Sequence, residues 1–279
     1  MTTVYLTGCN TQNGLVSQVL CKAAEALLAA GARVVAPAGL AVQSAQVLAP
    51  KAAFACADAV VTVGGDGTVL HTAKECCQYD LPVLGVNLGR TGFLATCEVE
   101  EIGRKLARLA NGDFSLEHRA LLQASCTGCS APLAALNDLV VYSGQRRQAI
   151  DLDIFCDGQL VSHSRGDGVI LATPTGSTAY SLSAGGPILD ARIRGLVLTN
   201  ICAHSLQRPA IVFAADRRIT VRPSADQRGP ILISSDGEQE LPLPPGGELR
   251  VELSRKSVKL ITFNGTHQFD AIDKKLRGR

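Results

Sequence analysis

The sequence predicts an α/β fold joined to a β-rich part: an N-terminal doubly wound α/β domain, a β-sandwich-like domain, and a C-terminal helix that returns to the first domain. In the first third of the 279-residue chain, continuous apolar runs of strand length alternate with helical periodicity. This alternation is typical of a parallel sheet covered on both faces. After residue 113, short strand patterns recur with turn residues between them. We therefore expect one domain at 1–113 with 262–279 and a second at 114–261.

The first domain alternates predicted strands and helices. The strands lie at residues 4–6, 34–36, 59–63 and 82–86. Helical periodicity covers residues 16–30, 42–56, 68–78 and 99–110. Gly31 supplies a C-cap for the first helix. Pro50 must begin, kink or divide the second, because proline inside a helix removes a hydrogen bond and clashes with the preceding turn.

The second domain is predicted from strands at short spacing. They lie at residues 139–142, 152–156, 169–172, 196–199, 219–221, 231–234 and 249–253. Asp157-Gly158 between two apolar runs indicates a hairpin, and residues 242–247 concentrate proline and glycine in a tight connection. Residues 268–279 return to a helical pattern, with Phe269, Ile272 and Leu276 on one face.

Composition excludes several classes of protein. With 46% hydrophobic and 19% charged residues, the chain is not disordered. A net charge of +2 gives no basic field for nucleic acid or an anionic membrane. No targeting segment and no long apolar run is present, so we expect a soluble cytoplasmic protein. The ten cysteines are spread through a chain too large to need a disulfide scaffold, and we expect reduced thiols.

Gly64, Gly65, Asp66, Gly67 and Thr68 lie between a predicted buried strand and a predicted helix. The glycines let the backbone approach a ligand, and the helix start offers N–H groups and a positive dipole end to an anion. A carboxylate repels phosphate, so Asp66 suits a proton acceptor or a ligand of metal-bound water better than a phosphate contact. An ordinary tight turn, capped by Asp66 or Thr68, explains the motif equally well.

Residues 173–187 follow a predicted core strand and are rich in hydroxyl groups and glycine. A linker or surface loop has the same composition, but linkers do not usually follow a core strand inside a domain. The alternative is a polar wall facing a nucleotide, with Tyr180 offering its ring to a base or ribose.

Smaller features have ordinary explanations when taken alone. Asn137-Asp138 is typical of a strand end, and the run from Arg165 to Gly168 of a loop with a surface ion pair. Cys126 and Cys129 have CxxC spacing without further zinc ligands nearby. His71 and His204 fit packed structural residues better than catalysts.

Taken together and in this order, these segments resemble the NAD kinase family. The resemblance rests on Gly64 to Thr68, on the run Gly85-Val86-Asn87-Leu88-Gly89-Arg90-Thr91-Gly92-Phe93-Leu94, on Asn137-Asp138, on residues 173–187, and on residues 201–206 before Arg208-Pro209. It covers essentially the whole chain, and residues 173–187 are its most specific part.

The resemblance implies transfer of the γ-phosphate of ATP, as its Mg²⁺ complex, to the 2′-hydroxyl of the adenosine ribose of NAD, giving NADP. Asp66 matches the family's proton acceptor, and the resemblance implies that Gly67 touches NAD. We expect the loop residues Gly64, Gly65, Gly67 and Thr68 to bind phosphate. The residues implied in dinucleotide binding are Asn137, Asp138, Arg165, Asp167, Thr178, Ala179, Tyr180, Ser181, Leu182 and Ser183. A homodimer or homotetramer is implied as well.

The chain departs from the family pattern at three positions. Glu238 stands where many bacterial members have glutamine, Ala203 where many have proline, and Asp138 where glutamate is commoner. Two other functions stay open: a lipid kinase of the related superfamily, which would need an apolar acyl cleft, and a catalytically idle NAD(P)-binding sensor. The sequence leaves open whether polyphosphate replaces ATP and whether NADH is accepted.

Overall fold

The computed structural model describes residues 1–9, 14–38, 45–89, 92–145, 148–204, 209–263 and 272. The chain divides into two compact units, Met1–His118 with Val258–Arg279, and Arg119–Ser257. Among the described residues, no helix combines the length and the apolar character that crossing a bilayer requires.

The described helices and strands alternate in the first unit, and strands dominate the second. The helices are α1 (Gly14–Ala29), α2 (Pro50–Cys56), α3 (Asp66–Gln78), α4 (Ile102–Ala110) and α5 (Tyr180–Ser183), with 3-10 turns at Val99–Glu101 and Gly176–Thr178. The strands are β1 (Thr3–Gly8), β2 (Arg33–Ala36), β3 (Gln46–Val47), β4 (Ala59–Gly64), β5 (Pro82–Asn87), β6 (Cys97–Glu98), β7 (Ser115–Cys126), β8 (Leu133–Ala135), β9 (Asp138–Ser143), β10 (Ile150–Cys156), β11 (Gln159–Gly166), β12 (Gly168–Ala172), β13 (Gly195–Ile201), β14 (Ile211–Ala214), β15 (Ile219–Pro223), β16 (Ile231–Ser235), β17 (Gln239–Leu243) and β18 (Leu249–Thr262).

The first unit is built on a parallel sheet in the order β18, β5, β4, β1, β2, β3. Side chains alternate between the two faces of each strand. Val4 and Leu6 of β1 pack into a core with α1 and α4. Tyr5, between them, meets Phe54 of α2 with ring centroids 4.9 Å apart. Helices therefore cover both faces, and the predicted doubly wound α/β domain is confirmed.

Proline determines where the second helix begins. The pattern at 42–56 predicted a helix that Pro50 begins, kinks or divides. In the structure α2 begins at Pro50, and Gln46–Val47 before it forms a short parallel strand with β2 instead of helix. Proline fits the first turn of a helix, where its missing N–H has no intrahelical partner to lose. Residues 42–44 lie outside the described chain, as does most of the predicted C-terminal helix at 268–279.

The second unit contains two antiparallel sheets packed face to face. One has the order β14, β13, β12, β9, β16, β17, and the other contains β11, β10, β15 and the beginning of β18. Leu139 and Val141 of the first sheet share a core with Leu152, Ile154 and Val221 of the second. The predicted β-sandwich is confirmed.

The expectation of reduced thiols is wrong for one pair. Cys126 and Cys129 form a disulfide, with their Cα atoms 5.3 Å apart. β7 ends at Cys126, and the following turn lets the Cys129 N–H donate to the Cys126 carbonyl at 3.1 Å. The turn therefore brings the two side chains within bridging distance.

Candidate functional sites

The glycine-rich motif lies where the strand order of the parallel sheet reverses. β4 ends at Gly64, Gly65 is the N-cap, and α3 begins at Asp66. The chain runs from β1 to β2 and β3 on one side and places β4 on the other. In such sheets, ligands bind beyond the carboxyl ends of the strands at this reversal. The local fold therefore supports a ligand site at the motif.

A pocket of about 510 Å³ opens at this reversal. Its lining includes Thr7 and Gly8 from the end of β1 and Gly67, Thr68 and His71 from the first turns of α3. The first N–H groups of a helix have no intrahelical acceptor and carry a partial positive charge. The pocket thus presents a helix N-terminus to an anion such as phosphate.

The Asp66 carboxylate is held in one orientation. Its Oδ2 accepts a hydrogen bond from the Phe93 N–H at 2.8 Å, and its Oδ1 accepts one from the Leu94 N–H at 3.0 Å. A Cβ at Gly92 would overlap the carboxylate far inside van der Waals contact. Asp66 is therefore an oriented hydrogen-bond acceptor rather than an N-cap, since the cap position is Gly65.

A second pocket, of about 830 Å³, lies in the second unit. Its floor is the face of the six-stranded sheet that turns away from the sandwich core. Val140 and Tyr142 belong to this outer face, whereas Leu139 and Val141 point into the core. The pocket is lined by Asn137, Asp138, Val140, Tyr142, Ser143, Gln145, Gln148, Asp167, Ala179, Tyr180, Ile201, Ser234, Asp236, Gly237 and Glu240.

The carboxyl groups of Asp138 and Asp236 both line this pocket, and their charges interact. Asp138 is only 6% exposed. Burial, and secondly the nearby charge of Asp236, raise the pKa of Asp138 to about 7. The raised pKa favours the carboxylic acid form more than in an exposed aspartate, and that form can donate as well as accept hydrogen bonds.

The hydroxyl-rich segment at 173–187 has an internally bonded structure. Thr173 Oγ1 donates to the Leu136 carbonyl at 2.6 Å and accepts from the Gly176 N–H at 3.0 Å. Ser177 Oγ donates to the Pro174 carbonyl at 2.6 Å. These hydroxyls are buried and fix the shape of the segment. The linker alternative is therefore wrong.

The structure brings together some of the residues predicted for dinucleotide binding. Asn137, Asp138, Asp167, Ala179 and Tyr180 line the large pocket. The other predicted residues do not line this pocket. Arg165 is exposed and pairs with Asp151 at 3.5 Å, and the Ser181 hydroxyl is buried against Thr199 Oγ1 at 2.8 Å. Thr178 and Leu182 are half-buried, and Ser183 is exposed.

The residues at the other end of the pocket were not predicted from the sequence. The Tyr142 hydroxyl donates a hydrogen bond to the Glu240 carboxylate. Burial, together with the hydrogen bond to Glu240 and its negative charge, raises the pKa of Tyr142 to about 12. The alternation of Asp138, Val140 and Tyr142 along β9 places all three on one face, and this signal was available in the sequence. Glu238, the departure from the family pattern, is an exposed turn residue between β16 and β17.

Comparisons with known proteins identify the family. The ATP-NAD kinase N-terminal domain matches residues 22–114, and the ATP-NAD kinase C-terminal domain matches residues 136–263. An NAD kinase of Symbiobacterium thermophilum is 38% identical over 224 residues, 79% of each chain. An NAD kinase of Chromohalobacter salexigens is 36% identical over 222 residues, 78% of this chain and 76% of that one.

Solved structures share the fold over the full length. A yeast NADH kinase complexed with NADH has a TM-score of 0.86 at 24% identity, covering 99% of this chain and 88% of that one. An NAD kinase from Archaeoglobus fulgidus in complex with ATP has a TM-score of 0.77 at 25% identity, covering all of both chains. With two domain matches in the expected order and relatives aligned over most of their length, this chain belongs to the NAD kinase family.

Proposed function

We propose that this protein transfers the γ-phosphate of ATP to the 2′-hydroxyl of the adenosine ribose of NAD, giving NADP and ADP. Family membership supports the reaction, and the oriented Asp66 carboxylate at the start of α3 is the observation that carries the mechanism. Mg²⁺ enters as part of the ATP substrate and neutralises charge on the transferred phosphoryl group.

Asp66 is the proposed proton acceptor. The ribose 2′-oxygen forms a bond to the γ-phosphorus, the bond from that phosphorus to the bridging oxygen of ADP breaks, and the hydroxyl proton passes to Asp66. An alcohol is far too weak an acid to be deprotonated first by a carboxylate. Phosphoryl transfer is loose, so a positioned base takes the proton late and mainly orients the hydroxyl. The two backbone N–H groups that fix Asp66 support this role.

The proposed phosphate contacts come from Gly64, Gly65, Gly67 and Thr68 at the N-terminus of α3. The Thr68 N–H donates to the Gly65 carbonyl at 3.0 Å, so Thr68 is proposed to contribute its hydroxyl. The pocket at the strand reversal supports a phosphate-bearing ligand there. Because N–H groups and the substrate's own Mg²⁺ neutralise the phosphates, no basic patch is needed. This agrees with a net charge of only +2.

The proposed dinucleotide site is the 830 Å³ pocket. Asn137 and Asp138 bind the adenosine half through amide and carboxyl groups, and the half-exposed Tyr180 offers its ring to a base or ribose. Asp167 and Ala179 complete this wall. The buried hydroxyl of Ser181 supports a role in shaping the segment from Thr178 to Ser183 rather than in touching the ligand. Arg165 is proposed to act from the pocket rim.

We also propose a cytoplasmic homodimer or homotetramer without nucleic-acid or membrane partners. Exposed apolar side chains on the edge strands of both sheets of the second unit support self-association. They are Leu160 and Val161 on β11 and Val212 on β14. Edge strands with exposed apolar residues are ready to pair with another chain.

The activity is tested with purified protein, NAD, ATP and Mg²⁺, with NADP detected through an NADP-specific dehydrogenase. We expect NADP to accumulate only when all three are present. Polyphosphate and NADH are run in parallel to define the donor and acceptor range. Phosphorylation of diacylglycerol in place of NAD would identify a lipid kinase, and stoichiometric NAD binding without turnover would identify a sensor.

Asp66→Asn tests the proton acceptor. We expect turnover to fall by about 10²–10⁴-fold, the range that a general base contributes, while NAD still binds. Asp113→Asn is the control, because Asp113 is an exposed carboxylate of the same unit that pairs with Arg108. Turnover of the Asp66 variant within a few-fold of the native rate would mean that another group accepts the proton.

A further inference from the structure

We propose that Asp236 is a positioning residue of the dinucleotide pocket: its carboxylate fixes the backbone of residues 136–138 and thereby aims the side chains of Asn137 and Asp138 at the ligand. The identity of the ligand rests on the function proposed above. The positioning itself is a property of the protein alone and is tested separately.

Three successive backbone N–H groups converge on this one carboxylate. Asp236 Oδ1 accepts from Asn137 at 2.8 Å and from Asp138 at 3.1 Å, and Oδ2 accepts from Leu136 at 2.9 Å. The Asp236 N–H in turn donates to the Asp138 carbonyl at 2.9 Å. Hydrogen bonds to an ionised acceptor are roughly twice as strong as those between neutral groups.

The carbonyl groups of the same segment are held from the other side. Thr173 donates its hydroxyl to the Leu136 carbonyl at 2.6 Å and its N–H to the Asn137 carbonyl at 2.9 Å. With both donors and acceptors of the backbone occupied, the segment has one conformation. The Asn137 and Asp138 side chains are then the groups left to line the pocket.

Turn formation alone does not require a carboxylate at this position. Asp236, Gly237 and Glu238 connect β16 to β17, and the first two have φ of 51° and 71°. Two successive turn positions with positive φ accept Asn-Gly and Gly-Gly as readily as Asp-Gly. Replacing Asp236 by asparagine or glycine therefore keeps the turn. Asparagine removes one carboxylate oxygen, and glycine removes both.

A second Asp-Gly pair with the same sign of φ, in a shorter two-residue turn, serves as the control. Asp157 and Gly158 connect β10 to β11 with φ of 50° and 85°. The Asp157 carboxylate also accepts a backbone hydrogen bond, from Arg218 at 3.0 Å, but it lines no part of the dinucleotide pocket. Substitutions at Asp157 therefore report the cost of removing a carboxylate from an Asp-Gly turn, together with the loss of its ion pair with Arg217 at 2.7 Å.

Asp236 also affects the titration of Asp138. Its negative charge is the second cause, after burial, of the raised pKa of Asp138. The other titratable groups that line this pocket are Asp167, Glu240, Tyr142 and Tyr180. Substituting Asp236 by asparagine removes one source of repulsion, so the pKa of Asp138 falls from about 7. The ionised carboxylate of Asp138 is the form that accepts hydrogen bonds from ribose hydroxyls through both oxygens. The pH below which NAD binding weakens should therefore move down in this variant.

The experiment compares Asp236→Asn and Asp236→Gly with Asp157→Asn and Asp157→Gly. Hydrogen exchange of the peptide covering 136–138 is measured first, without ligand. We expect faster exchange in both Asp236 variants and native exchange in both Asp157 variants. Unchanged exchange in the Asp236 variants overturns the proposal whatever the protein's activity. If Asp236→Asn does not fold, hydrogen exchange of the folded Asp236→Gly variant alone decides the test.

Calorimetric NAD titration and kinetics then test the consequence for the ligand. We expect Asp236→Asn to weaken NAD binding about tenfold, as for one lost charge-assisted hydrogen bond. We also expect kcat at saturating NAD within about twofold, an unchanged KM for ATP, and a lower pH midpoint of binding. Equal losses in the Asp236 and Asp157 variants, or loss of kcat with native NAD affinity, overturn the positioning role. Native protein that binds NAD but makes no NADP refutes the proposed function and not this inference.

Discussion

Gly92 shows how a residue without a side chain supports the site around Asp66. The N–H groups of Phe93 and Leu94 reach the Asp66 carboxylate because nothing projects from the residue before them. Gly89, by contrast, has open space where a Cβ would stand. Gly89 and Gly92 therefore differ in whether they tolerate a side chain.

Gly92→Ala should displace the Asp66 carboxylate and lower kcat at least tenfold, because a positioned group loses its effect when it moves by about 1 Å. The measurement is the rate of NADP formation alongside the thermal unfolding midpoint. Gly89→Ala is the control and should retain native kcat. Native turnover in the Gly92 variant would show that the carboxylate is not required in this orientation.

At the scale of single residues, the sequence was most informative where chemistry and chain position coincide. Asp66 was predicted because it lies between a strand and a helix inside a glycine motif. Its partners Phe93 and Leu94 were not, because backbone N–H groups of any residue type serve equally well. Asp236 was missed as a positioning group for the same reason: its three donors are main-chain atoms far away in sequence.

The segment after β12 illustrates how an element of polar composition becomes rigid. The side chains of Thr173, Ser177 and Ser181 are fully buried, and each hydroxyl forms a hydrogen bond. Buried polar groups that are satisfied in this way favour a single conformation. Close packing of Gly176 on the Asn137 backbone joins this segment to the end of the dinucleotide pocket.

Gly176→Ala should destabilise the protein by about 1–3 kcal/mol, the usual range for overpacking a well-packed site, and should weaken NAD binding. Denaturant unfolding and NAD titration measure the two effects. Gly103→Ala, in α4 with open space at its Cβ, is the control and should be neutral or slightly stabilising. An alanine at 176 with native stability and native affinity would contradict the close packing.

Elements with regular apolar patterns could be predicted from the sequence. Elements whose conformation depends on pairing with neighbouring strands could not. The buried strands β4, β5 and β12 are continuous apolar runs. β7 and β11 carry charged and polar residues along much of their length, and only pairing with neighbouring strands shows that they are extended. The disulfide required knowledge of the turn after β7, which spacing alone did not supply.

For the molecule as a whole, the proposed self-association has a direct test. We expect light scattering after size-exclusion chromatography to give about two or four times the chain mass of 29.2 kDa. The exposed apolar residues of the edge strands β11 and β14 are the physical reason. A mass of one chain that persists at micromolar concentration would contradict an oligomer.

The fold class could be predicted for the whole chain because the hydrophobic period changes between its two parts. Pairings between distant segments could not. Lys259 and Leu260 of β18 pair in parallel with Pro82 and Val83 of β5, and nothing local in either segment specifies the other.

That pairing has a consequence for biosynthesis. The parallel sheet receives β18 only after all of residues 119–257 have left the ribosome, whereas the sandwich unit is one uninterrupted stretch. The unit that begins the chain is therefore the last to be completed. Until then, the start of β5 is without its Lys259 and Leu260 partners, and a nascent chain stalled before residue 258 leaves that edge open to chaperones.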